Sequence, residues 1–529
     1  MPHRPTIDPR IDAWLSRSIS RRSLLVSSAM LGAMPYAKLL ARGAALISPR
    51  WTASPFTLGV ASGDPTPTGV VLWTRLALDP VNGGGMDPAP VPVNWEIASD
   101  DRMRQVVKKG TETATAEWAH SVHVEVDGLE PDRWYWYRFT TGGAESPVGR
   151  TRTLPLAASV PDRFRFAFVS CQNYEQGLFT AYDHLSHEDV DLIFHLGDYI
   201  YEGAGADGRV RKHAGPKLAT LEHYRNRYGQ YKSDPHLQAA HARAPWFITP
   251  DDHEVQNNYA NDISEREDPR DAFLLQRAAA YRAHYEHQPF RRTSMPRGPA
   301  AQFYRQSGWG TLASFHILDT RQFRTNQPCG DGTKAPCPET FDPKATLMGD
   351  VQETWLFDGL RTSTARWHLI PQQVMMARVD QQPGDEQRFS MDQWPGYDAE
   401  LKRVMNFLGE AKPSNPVVLT GDIHSNYVND LKLDFSNPKS PTVGTEFVGT
   451  SISSGGDGAD RGVRTASMLE ENPFVKYFNG QRGYVRCTIT PASMRADYLG
   501  VDYVTRPDAP LAHRAAFVVE HGKPGAHQA

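Results

Sequence analysis

Short apolar runs that stop at acidic or polar residues alternate along this chain with stretches in which apolar positions recur every three or four residues. The sharpest run is Val190–Glu202 (VDLIFHLGDYIYE), where apolar residues meet Gly197 and Asp198, and Tyr201 follows three positions later. A continuous apolar run ending in a turn signal predicts a buried strand with Asp198 at its carboxyl edge, where ligands bind in open α/β sheets. Taken alone, the same acid serves equally well as a cap for the following turn. Three further runs end the same way. Arg163–Cys171 (RFRFAFVSC) stops at a thiol followed by Gln172 and Asn173. Pro245–Glu254 (PWFITPDDHE) stops at Asp251, Asp252, His253 and Glu254, and Pro416–His424 (PVVLTGDIH) at Asp422 and His424. Together the endings collect Cys, Asp, Tyr and His, the side chains that ligate transition metals.

The pattern changes character near residue 156. Before it, Val70–Trp73, Val91–Ile97, His120–Val126 and Trp134–Phe139 read as short strands separated by turns at Pro131-Asp132 and Gly142-Gly143, the spacing of a small β-sandwich. After it, strands alternate with helical periods. Helices are expected over Glu175–Asp189, Ser264–Gln288, Asp350–Leu360 and Asp398–Leu408, and strands over Gly310–Thr320 and Trp367–Ala377. Loops are expected at Gly455–Gly458 and in the tail after Glu520. This predicts a sandwich domain over 46–156 and an α/β catalytic domain with a mixed, largely parallel sheet over 157–529.

Composition narrows the function classes. At 529 residues the chain exceeds one ordinary core. A net charge of −4 gives no sign of a stable nucleic-acid complex or an anionic-membrane partner. Ser20-Arg21-Arg22-Ser23-Leu24-Leu25 opens the apolar run Leu24–Met34, which Pro35 breaks. That resembles a twin-arginine signal, so residues 1–45 are expected to address the protein to the twin-arginine export machinery, with a secreted or periplasmic location. A basic N-terminal helix is the alternative. The run falls short of the roughly 20 residues that span a bilayer. Cys329 and Cys337 flank a Gly- and Pro-bearing loop and are expected to form a disulfide in an oxidising compartment. Cys171 reads as a thiolate ligand or as a packed thiol, and Cys487 as core filling.

The donors suggest chemistry. Asp198 and Tyr201 lie close enough in sequence to reach one ion, and a phenolate prefers a trivalent ion such as iron to zinc. Asp422 and His424 are two apart, so on an extended segment their side chains face the same way. Asp252 would supply oxygen to a second ion and leave His253 free to face substrate. Two ions sharing a carboxylate suit phosphate ester hydrolysis.

GDYIY, PDDHEVQNN, GDIHSN and FVSCQN, with LDTRQFR and EFVGTSISS, resemble the alkaline phosphatase D (PhoD) family of calcineurin-like metallophosphoesterases. FTLGVASGDPTPTGVVLWTRL is similar to that family's N-terminal domain. The resemblance implies an α/β fold, a metallophosphatase-type sandwich of mixed β-sheets flanked by helices, preceded by a small all-β, fibronectin III-like sandwich. It implies Fe3+ on Cys171, Asp198, Tyr201 and His424, and Ca2+ on Asp198, Asp252 and Asp422, an oxygen-only set that fits a hard cation. Phosphate monoesters and diesters would be attacked by a hydroxide bridging the ions. His253 takes the position of the family's catalytic histidine, as acid or transition-state stabiliser, with Glu254 orienting it. Pro250 and Gln256 depart from the Trp and Asp usual in the motif.

Other readings stay open at this stage. The same centre would serve a phospholipase D or a nucleotide phosphodiesterase, and an exported binding or adhesion protein would carry it as a vestige. Arg321 would clamp a phosphate or form a buried ion pair with Asp319 or a neighbour. Asn173 would approach the hydroxide or hold its own turn, and Ser453 and Ser454 would border the pocket or form a plain loop. Trp394, Tyr397 and Tyr477 would stack on a leaving group or fill the core, while most histidines, such as His187 and His513, are expected on the surface.

Overall fold

The computed structural model describes residues 51–529, so the expected signal region 1–45 lies outside the described residues. Two mixed sheets pack face to face at its centre. In the first, Phe164–Val169, Leu192–His195 and Trp246–Ile248 lie side by side and parallel. In the second, Ala313–Ile317, Trp367–Pro371, Pro416–Thr420 and Thr442–Val448 do the same. Strand alternation sends Phe164, Phe166 and Phe168 between the sheets, against Phe315, Leu369, Val417 and Phe447. The intervening Ala167 joins a second core, under Leu221–Lys232, Pro235–Arg243 and Arg270–His287. Gly349–Thr362 and Asp398–Ala411 cover the other sheet. Both faces of each central strand are thus buried, which is why these strands read as unbroken apolar runs. This is the α/β sandwich of mixed sheets, with an all-β unit before it, that the motifs implied.

The all-β unit is not separate from the first sheet. Val60–Thr66 lies parallel to Trp246–Ile248 through the pairing of Gly63 with Trp246, and Gly69–Arg75 and Ser121–Asp127 continue outward. These three strands face a second layer built from Val91–Ala98, Val106–Ala114, Trp134–Thr141 and Gly149–Arg152.

Several boundaries differ from expectation for local reasons. The helix expected from Glu175 starts at Thr180, because Tyr174–Gln176 form a turn in which Asn173 accepts the N–H groups of Glu175 and Gln176. The one expected from Ser264 starts at Arg270, since Pro269 keeps Asp268 out of helical backbone. The strand from Trp367 stops at Pro371, which has no N–H for the ladder. The stretch expected as one strand over Gly310–Thr320 is the turn and second arm of a hairpin, whose arms are Arg305–Trp309 and Ala313–Ile317. The tail after Glu520 is not a loop: Lys523–Gln528 pairs with Leu511–Glu520. Cys329 and Cys337 form the expected disulfide, and Cys487 is core. No helix among the described residues is long and apolar enough to cross a membrane.

Candidate metal centre

The loops that leave the parallel strands converge at one edge of the two sheets. Donor atoms of Cys171, Asp198 and His424 lie within 4.8 Å of one another, as do those of Asp198, Asp252 and His253, and those of Asp251, Asp252 and Asp422. The Tyr201 hydroxyl donates to Asp198 Oδ2 at 2.8 Å and lies 3.3 Å from His424 Nε2. The structure therefore brings Cys171, Asp198, Tyr201, Asp252, Asp422 and His424 together, with His253 beside them. His253 and Asp422 keep 19% and 20% side-chain exposure, so the cluster opens to solvent on their side.

Backbone geometry at this edge is unusual. Cys171, Asp198, Asp422 and His424 all adopt left-handed backbone, with φ of 58°, 57°, 60° and 56°. Each such residue costs of order 1–3 kcal/mol and persists only where its surroundings enforce it. The enforcing bonds are visible. Cys171 N–H donates to Gly197 O and Gln172 N–H to Asp198 O, both at 3.1 Å, while Arg482 donates to His424 O. Gly197 itself has φ +109°, and a Cβ there would lie 2.3 Å from Asp251 Cβ, so only glycine lets the two acidic loops pass.

The polar inventory fits cations. Asp198 Oδ1, Asp252 Oδ1 and Asp251 Oδ2 are buried without a hydrogen-bond partner, a costly state for a carboxylate unless a cation faces it. One cluster mixes thiol, imidazole, phenol and carboxylate, whereas Asp251, Asp252 and Asp422 offer oxygen alone. Burial pushes the Cys171 thiol and Tyr201 phenol well above their ordinary values, and the charge of Asp198 adds to both. Burial likewise raises Asp198 and Asp251, helped by neighbouring carboxylates, and takes Asp422 up to about 6. At Asp252, Arg321 and His253 outweigh burial and hold the carboxyl below its usual range. Burial takes His424 down to about 3, leaving the neutral imidazole that ligates metals. His253 runs the other way: burial lowers it, but Asp198, Asp252 and Glu202 together hold it well above its ordinary value. Too many donors share one buried volume for all to ionise alone, and a cation among them would supply the missing charge.

A model of the PhoD-like phosphatase domain matches residues 166–498, and a model of that family's N-terminal domain matches 41–155. The chain belongs to the PhoD-like phosphatase family. It is 47% identical over 536 residues to alkaline phosphatase D of Bacillus subtilis, covering 98% of this chain and 92% of that one. A solved structure of PhoD matches with a TM-score of 0.90 at 51% identity, covering 91% of this chain and 93% of that chain. A stretch of 81 residues is 36% identical to purple acid phosphatase 23 of Arabidopsis thaliana, over 15% of this chain and 18% of that one. Membership makes this PhoD-like phosphatase a phosphoric ester hydrolase, and its donor clusters indicate metal cofactors.

Not every partner in this PhoD-like phosphatase is the one its motifs suggest. His253 Nδ1 lies 2.7 Å from Glu202 Oε2, and the rings of Tyr201 and His253 pack with centroids 4.1 Å apart. Glu254, the expected orienting acid, instead accepts backbone N–H groups of Asp198 at 3.1 Å, of Asp251 at 2.7 Å and of Tyr199. It braces two acidic loops and leaves the imidazole to Glu202. Arg321 is fully buried and pairs with Asp251 and Asp392 rather than facing a substrate. Asp319 merely accepts the Arg321 backbone N–H at 3.1 Å. Ser454 is more than loop: its Oγ lies 2.6 Å from the Tyr201 hydroxyl oxygen and 2.7 Å from Cys171 O. Asn173 holds its own turn, accepting from Glu175 N–H at 3.0 Å. Trp394 and Tyr397 are core. His187 and His513 are exposed, but among the described residues eight other histidines outside the cluster, His195, His241 and His284 included, are buried, contrary to expectation.

Proposed function

We propose that this enzyme hydrolyses phosphate monoesters and diesters as an alkaline phosphatase with two cations. Ferric iron would be held by Cys171, Asp198, Tyr201 and His424, and calcium by Asp198, Asp252 and Asp422. The observation that supports the reading is a Cys171–Asp198–His424 group, with the Tyr201 hydroxyl on Asp198, linked to the oxygen-only group of Asp251, Asp252 and Asp422 through Asp198 and Asp252, which lie together beside His253. When bound, the pair supplies a nucleophilic hydroxide and neutralises charge on the phosphoryl oxygens. The chain's own residues do the rest. Glu202 fixes His253 through Nδ1, so Nε2 is the nitrogen turned to substrate, and its proton passes to the departing alkoxide oxygen. Glu254 and Ser454 hold the loops so that the donors stay aimed at one point.

We further propose export by the twin-arginine pathway, with residues 46–156 as the sandwich domain and 157–529 as the catalytic domain.

The reading is tested by assaying a phosphate monoester, a simple diester and phosphatidylcholine side by side on protein exported through its own signal, with elemental analysis of the same preparation. Turnover of the first two with iron and calcium bound is expected. Cleavage of phosphatidylcholine alone would replace the reading with a phospholipase, and a metal-loaded protein inert toward all three would sink it. His253→Ala should retain both metals and lose about two to four orders of magnitude in turnover.

A further inference from the structure

We propose that Arg321 is a resident counter-cation that sets how tightly the oxygen-only pocket holds its divalent ion. The inference rests on the two-cation reading above and goes past it, because it assigns the affinity of one site to a residue that ligates nothing.

The guanidinium sits inside the carboxylate cluster rather than at its rim. Its side chain is fully buried. Nε donates to Asp251 Oδ1, and Nη1 donates to both oxygens of Asp392 at 2.8 Å. Nη2 has no hydrogen-bond partner, yet it stands 3.6 Å from Asp252 Oδ1 and 3.6 Å from Asp422 Oδ1. At 3.6 Å neither contact is a hydrogen bond, but both are close enough for strong Coulomb attraction in a buried site. The arginine is thus held just behind the two carboxylates expected to ligate the second ion, without spending their lone pairs.

Its position is set from the rear. Asp392 Oδ1 also accepts from Arg324 Nη1 at 2.6 Å and from Gln327 Nε2 at 2.8 Å, so the acid that holds Arg321 back is itself pinned. A guanidinium stays charged under all ordinary conditions and presents its donors as a rigid fork, so it cannot relieve the crowding by losing a proton. Two consequences follow, of opposite sign. Before an ion arrives, the positive charge keeps the Asp251, Asp252 and Asp422 carboxylates from repelling one another, and the pocket is preformed. Once a dication is present, a like charge lies immediately behind its ligands and weakens their hold. The second ion should therefore exchange readily from a site whose shape does not collapse when it leaves.

The experiment uses the holoprotein dialysed against a calcium chelator, with elemental analysis to confirm that the transition metal remains. Calcium chloride alone is then titrated calorimetrically into wild type, Arg321→Gln and Asp392→Asn. Arg321→Gln is expected to bind calcium at least about tenfold more tightly, a modest fraction of what one nearby unit charge exerts even at an effective dielectric of about 20. Its melting temperature should be lower than wild type in chelator and rise more when calcium is added. Asp392→Asn frees the guanidinium to move forward and removes a negative charge near Asp422, so it should bind calcium about threefold or more weakly. Unchanged or weaker affinity in Arg321→Gln, or unchanged or tighter affinity in Asp392→Asn, overturns the proposal. If Arg321→Gln does not fold, the sign in Asp392→Asn decides. Failure of wild type to take up about one calcium ion per chain would instead remove the two-cation reading itself.

Discussion

Replacing Glu202 by glutamine isolates the charged contact to His253 Nδ1. Glutamine keeps the length of the side chain and an oxygen to accept the Asn257 N–H, which now donates to Oε1 at 3.2 Å. What disappears is the carboxylate charge facing His253 Nδ1 at 2.7 Å. A hydrogen bond to a charged group is worth about 1.5–3 kcal/mol. If that energy holds the imidazole in register with the leaving oxygen, its loss falls on the transition state and lowers kcat by about 10- to 150-fold. KM should stay within about twofold, because Glu202 reaches the substrate only through the histidine. Steady-state kinetics on a chromogenic monoester measure both constants, and elemental analysis confirms that the metals are retained. The double variant Glu202→Gln/His253→Ala should be no slower than His253→Ala alone, since the acid has nothing left to orient. Unchanged kcat in Glu202→Gln, or additive losses in the double variant, would refute the reasoning.

Three other outcomes are expected. Under the proposed ferric assignment, Tyr201→Phe should remove any visible charge-transfer absorption and most of the iron; an unchanged spectrum and iron content would exclude the phenolate as a ligand. Gly197→Ala meets the Asp251 Cβ at 2.3 Å and forces a Cβ onto φ +109°, so it should destabilise by about 3 kcal/mol or more. Gly203→Ala, which opens into free space, should change stability by less than about 0.5 kcal/mol, and equal melting temperatures for the two would contradict the close-approach argument. The third concerns acid. Burial takes His123 and His316 down to about 4 and His195 and His213 to about 3. A folded pKa below the unfolded value of about 6.5 means stability that is complete above that pH and is lost as pH falls through the interval. Glu400 and Glu254, both pushed up to about 7 by burial, act oppositely, but the buried histidines outnumber them, so stability falls as pH drops below 6.5. Melting temperature should therefore fall steeply between pH 6.5 and 5, and a flat profile across that range would show that these imidazoles are not buried neutral.

Much of the candidate cluster was legible because its residues follow unbroken apolar strands, a position that local pattern alone exposes. Cys171, Asp198, Asp252 and Asp422 are examples, and the Cys329–Cys337 pair was legible from its loop. The supporting residues were harder. Glu202 and Glu254 each lie next to an expected site residue, and nothing local says which carboxylate points at His253 and which turns under the loop. Asp251 stood in the motif without a role, because only the close pass of Gly197 shows that it shares the pocket. Leu221–Lys232 was missed for another reason. Its buried face is carried by Tyr224, Tyr228 and Tyr231 amid charged neighbours, so its helical period is hidden in a sequence that looks polar. The buried histidines escaped for the same cause, since their burial depends on neutral imidazoles bonding to partners such as Tyr199 and Tyr228.

The pairing of Gly63 with Trp246 has a practical corollary. Cutting the chain near residue 156 would leave each fragment with a raw β-edge: Val60–Thr66 on the smaller piece and Trp246–Ile248 on the larger. Bare rims of that kind recruit strands from other molecules, so neither fragment is suited to life on its own. The smaller module is better regarded as a lateral seal on the larger one than as an appendage swinging from a tether.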